Sequence, residues 1–102
     1  MARSRVRNRG SINGGYDMEK ALKLKEIFER KIETWNSNIQ QYNDMYNEAE
    51  KENRNKSITV SKYEQNRAKM AQYEKQIDRL VPELKTYRTV LEIINNVIEA
   101  ED

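Results

Sequence analysis

Apolar residues recur at steps of three and four in two long runs, and that spacing predicts two amphipathic helices. The first run passes through Met18, Ala21, Phe28, Ile32, Trp35, Ile39, Tyr42, Tyr46 and Ala49, with Lys25 as the one charged residue in the stripe. The second passes through Tyr63, Asn66, Met70, Tyr73, Ile77, Leu80, Leu84, Tyr87, Leu91, Ile94 and Ile98. A 3-4 alternation sustained for about five heptads is the signature of coiled-coil-like packing. Between the runs, Lys51-Glu52-Asn53-Arg54-Asn55-Lys56 has no apolar member and carries two turn-favouring asparagines. Asp17 is a suitable N-cap for the first helix, and Ser61 with Glu64 forms a capping-box pattern for the second. Ser57-Ile58-Thr59-Val60 reads either as an extended linker or as a frayed first turn.

These signals predict an all-α fold, a long antiparallel two-helix hairpin with helices over 17–54 and 61–100, a turn over 55–60 and an N-terminal arm over 1–16. The two helices would each be about 57–60 Å long, and matched lengths with a short connection favour folding back. Residues whose numbers sum to about 116 should then lie side by side: Tyr46 with Met70, Ile39 with Ile77, Ile32 with Leu84, and Lys25 with Leu91. Trp35 should meet the stretch around Leu80 and Val81. The competing arrangement is one nearly continuous rod paired with a second copy. Pro82 falls on the outer face, where it predicts a kink in a single long helix and leaves Leu80 and Leu84 on the seam.

Composition narrows the chemistry. With 36% hydrophobic and 35% charged residues in 102, two helices have a thin core and need support from a disulfide, a metal or a partner. The chain has neither Cys nor His, so a disulfide and a Cys/His zinc site are both excluded and self-association or a partner is left. The same lack removes the usual general bases and nucleophilic thiols. Glu48, Glu50 and Glu52, like Glu99, Glu101 and Asp102, read as a solvated helix face and an acidic tail rather than a metal cluster. Gly10, Gly14 and Gly15 are not followed by Lys-Ser or Lys-Thr, so no phosphate-binding loop is present. The expectation is a protein that is not an enzyme, with no cofactor, no metal and no small-molecule substrate. Trp35-Asn36-Ser37 is similar to the Trp-x-Gly signature of small secreted helical-hairpin proteins, but Ser stands where Gly belongs and the Trp lies within a predicted helix; no family is assigned.

Charge is unevenly spread. Residues 1–16 hold Arg3, Arg5, Arg7 and Arg9 and no acid. Removing those four from the 19 basic residues leaves 15 against 17 acids, so residues 17–102 carry about −2. Arginine is suited to bidentate contact with phosphate or carboxylate, which makes the arm a candidate for nucleic acid or for an acidic protein groove. At the same end of the hairpin, Leu22, Leu24, Ile27, Val90, Ile93 and Val97 lie off the main seam and offer more apolar surface than one partner helix can cover. They are the candidate protein interface.

The leading expectation is a structural or assembly protein that oligomerises or docks on a larger complex; size and an Asn-, Lys- and Ile-rich composition suggest a phage virion or assembly component. A nucleic-acid-binding accessory factor and a small adaptor or inhibitor of a host protein are the alternatives. No apolar run of signal-peptide or membrane-spanning length occurs, so a cytoplasmic or virion location without membrane contact is expected.

Overall fold

The computed structural model describes the backbone of residues 14–101 and the side chains of residues 18–100. The four arginines of the arm lie outside the described residues. Two helices, α1 (Gly14–Asn53) and α2 (Val60–Glu101), form the all-α helical hairpin that the periodicity predicts. No described helix is long and apolar enough to cross a membrane.

The helix ends differ from the sequence reading in instructive ways. α1 starts at Gly14, three residues upstream of the expected cap at Asp17. Extending an established helix costs far less than nucleating one, so a helix fixed by its downstream seam runs on through poor helix formers. At its other end the amide of Arg54 donates to the Lys51 carbonyl at 3.2 Å and that of Asn55 to the Glu52 carbonyl at 3.0 Å, a tightened closure that satisfies carbonyls with no helical partner. Asn55 then makes the turn, its Oδ1 accepting the Ser57 amide at 2.9 Å.

Thr59, not Ser61, caps α2. Its Oγ1 accepts the Lys62 amide at 3.1 Å, and its carbonyl accepts the Tyr63 amide at 2.9 Å as the first helical bond. An N-cap needs extended backbone angles, which the β-branched pair Ile58-Thr59 favours, and by Ser61 the chain is already helical. Replacing Thr59 by Ala should cost about 1 kcal/mol of stability in urea denaturation, whereas Ser61→Ala should be near neutral. Equal losses from the two variants would reverse the assignment.

The chain divides into two compact units, a turn unit (Ile32–Thr86) and a terminal unit made by the described residues of Met1–Lys31 and Tyr87–Asp102. Each is an antiparallel helix pair. In the turn unit the Tyr42 and Tyr73 rings lie 6.2 Å apart and Trp35 Nε1 donates to Glu83 Oε1 at 3.0 Å. In the terminal unit Phe28 meets Tyr87 edge-on at 5.9 Å. These pairs sum to 115, 118 and 115, so the register follows the expected 116 within each unit. Trp35 thereby finds an acceptor for its indole N–H three residues beyond the expected Leu80.

Every α1 seam residue from Met18 to Ala49 is buried or half-buried, Lys25 included, and so is every α2 seam residue from Asn66 to Ile98. Tyr63 is the exception and is exposed, because the register sets it opposite Asn53, whose amide donates to the Tyr63 carbonyl at 3.4 Å and offers no apolar cover. α2 continues unbroken through Pro82, giving one helix rather than two. Pro82 has no N–H for the Asp78 carbonyl, but both residues are exposed, so water can serve that carbonyl while Leu80 and Leu84 stay buried on the seam.

Candidate functional site

Burial separates the two units. Among the described residues the fully buried apolar side chains are Ala49, Leu80 and Leu84, all in the turn unit. The terminal unit has no fully buried side chain among its described residues, yet it holds Leu22, Leu24, Ile27, Ile93 and Val97, which are 44–57% exposed. Val90, the sixth residue of the predicted interface, is half-buried.

Position relative to the seam sorts these six. Leu24, Ile27, Val90, Ile93 and Val97 each stand one residue before a seam residue, namely Lys25, Phe28, Leu91, Ile94 and Ile98. At about 100° per residue they project to the same rotational side of their own seam, and in an antiparallel pair that side is common to both helices. The five therefore form one apolar face. The register sets Leu24 level with Ile93 and Ile27 level with Val90, two apolar layers side by side. Leu22 stands one residue after Ala21 and projects to the opposite side, so it does not belong to this face.

Charge borders the face. Lys20 and Lys31 also precede seam residues, Ala21 and Ile32, and mark its two ends on α1; Lys31 Nζ sits 5.5 Å from the Tyr87 ring centroid, a cation–π contact. The outer side of α1 carries exposed ion pairs one turn apart, Lys23 with Glu19 at 3.7 Å and Arg30 with Glu26 at 3.0 Å. Such pairs contribute a few tenths of a kcal/mol each and mainly keep that side in water.

A second cluster lies in the turn unit. Asn66, 2% exposed, occupies a seam position where an apolar side chain is the rule. Its Nδ2 donates to Glu52 Oε1 and to Asn53 Oδ1, both at 2.9 Å, and Lys62 Nζ stands 3.9 Å from the same Glu52 oxygen. Both amide protons are used, so the buried group is satisfied on its donor side and ties the last turn of α1 to the second turn of α2. This arrangement fixes register near the turn. The sequence exposes Asn66 as a polar break in an apolar stripe, but not its partners. The half-buried Tyr42, Tyr46, Tyr73 and Tyr87 are packing residues, as their seam positions imply.

No family model matches this chain, nor does a curated protein or a solved structure.

Proposed function

We propose that this chain is a non-enzymatic structural or assembly protein that docks through the aliphatic face of its terminal unit, with the Arg-rich arm adding electrostatic capture. The observation that carries the reading is an apolar face of five side chains in a unit that buries none of its described residues completely. Fully burying a Val, Leu or Ile side chain is worth about 1.5–3 kcal/mol, so covering the exposed half of Leu24, Ile27, Ile93 and Val97 returns about 3–6 kcal/mol from this side alone. Association costs of about 4–15 kcal/mol absorb much of that gain, so the partner must present an apolar surface of its own. Arg3, Arg5, Arg7 and Arg9, with no acid among residues 1–16, suit an anionic surface and would raise the rate of encounter.

The arm also favours a second reading, a nucleic-acid-binding accessory factor whose arginines contact phosphates. Light scattering on the purified full chain, with the ultraviolet spectrum of whatever co-purifies, separates the two. The docking reading expects a protein-only species, either a single chain with its aliphatic face exposed or a heavier assembly; the nucleic-acid reading expects absorbance characteristic of bases that is lost at high salt. A cooperatively folded single chain that fails to bind an apolar-surface dye such as ANS would remove the docking reading.

A further inference from the structure

We infer that the occupant of the aliphatic face is a second copy of this chain, joined about a two-fold axis parallel to the helices so that the two terminal units form a four-helix bundle. The inference rests on the docking reading above and gives it a partner. A two-fold interface must be self-complementary: what one copy presents, the other must accept. This face meets that demand level by level. Rotation about such an axis lays α1 of one copy against α2 of the other at the same height, so Leu24 meets the partner's Ile93 and Ile27 the partner's Val90. Apolar meets apolar in both layers because the register already sets these residues side by side within one chain.

Charge agrees with this geometry. Lys20 comes to the level of the partner's Val97 and Lys31 to that of the partner's Tyr87, so no lysine faces a lysine across the interface. A contact that laid α1 on α1 in parallel would oppose Lys20 to Lys20 and Lys31 to Lys31. In the proposed bundle each helix has only antiparallel neighbours, the arrangement of an up-down four-helix bundle. The side of Leu22 stays outside, where Glu26 and Lys23 keep the outer surface of α1 in water.

The absence of cysteine makes the test clean. Two full-length single variants, Ile27→Cys and Val90→Cys, are oxidised separately and as an equimolar mixture. The two-fold expects little crosslinked dimer from either alone and a strong disulfide-linked heterodimer from the mixture, with unsubstituted protein running as a dimer by light scattering. Efficient crosslinking of Ile27→Cys to itself, with no gain on mixing, overturns the arrangement. Unsubstituted protein that stays a single chain up to hundreds of micromolar overturns the second-copy inference, and dye binding then reads the parent proposal separately. A lone chain that binds ANS, and loses that binding in Ile93→Asp, keeps the docking face with a different partner; one that binds none removes both.

Discussion

Replacing Leu84 by Ala should destabilise the hairpin by about 2–5 kcal/mol, Leu80→Ala should do the same, and the double variant should be unfolded at room temperature. The two side chains are 6% and 4% exposed and, with Ala49, are the fully buried apolar residues among those described. Domains of this size have about 5–15 kcal/mol of total stability, so two such losses exhaust it. The loss combines forfeited transfer energy with the cavity left between two helices, which cannot collapse freely because α2 packs as one continuous element through Pro82. Val81→Ala is the control: Val81 lies next to Leu80 but is 45% exposed, and its truncation should cost less than about 1 kcal/mol. Far-UV circular dichroism during urea titration measures the four variants against the unsubstituted protein, at matched concentration because any self-association makes stability concentration-dependent. A cost below about 1 kcal/mol at both leucines would show that this seam does not hold the hairpin together.

The seam was legible in the sequence because one physical rule generates it. A helix with a single partner must repeat its apolar residues every three or four positions, and that repeat fixes element type, facing side and, with a short turn, the register. The ends were less legible because several residues competed for each role. Thr59 and Ser61 are both plausible caps, and the choice turned on how far the extended Ile58-Thr59 stretch delayed the helix. At the other terminus Asp17 looked like a cap, but the cooperative growth of α1 carried it to Gly14. The candidate interface was half legible. Counting apolar residues off the seam names six residues, but Leu22 differs from Leu24 by projecting to the other side of the helix, a distinction that the sequence holds in its heptad position and that composition conceals. The partners of Asn66 depended on side-chain geometry across the turn and had no sequence signal beyond the polar break itself.

Removing residues 1–12 should abolish most of the salt-sensitive affinity of the chain for duplex DNA, the anionic polymer that serves as probe for the arm. Each phosphate neutralised on duplex DNA contributes about 0.9 to the slope of log affinity against log salt, so four arginines contribute about 3.6. Between 50 and 200 mM salt that slope corresponds to a fall of about 150-fold in the affinity that the arm supplies. The rest of the chain, about −2 over residues 17–102, has no excess of positive charge to compensate for the deletion. Fluorescence anisotropy at several salt concentrations, on the full chain and on the shortened one, measures both affinity and slope. Replacing all four arginines by lysine refines the result: lysine keeps the charge but lacks the planar fork. A lysine variant with an unchanged slope and near-normal affinity marks attraction to a charged polymer. One that loses binding at every salt concentration marks recognition by bidentate hydrogen bonds, the mode suited to a specific carboxylate or phosphate site. If the shortened chain binds as the full chain does, with the same slope, the arginines take no part in capture and the aliphatic face must act alone.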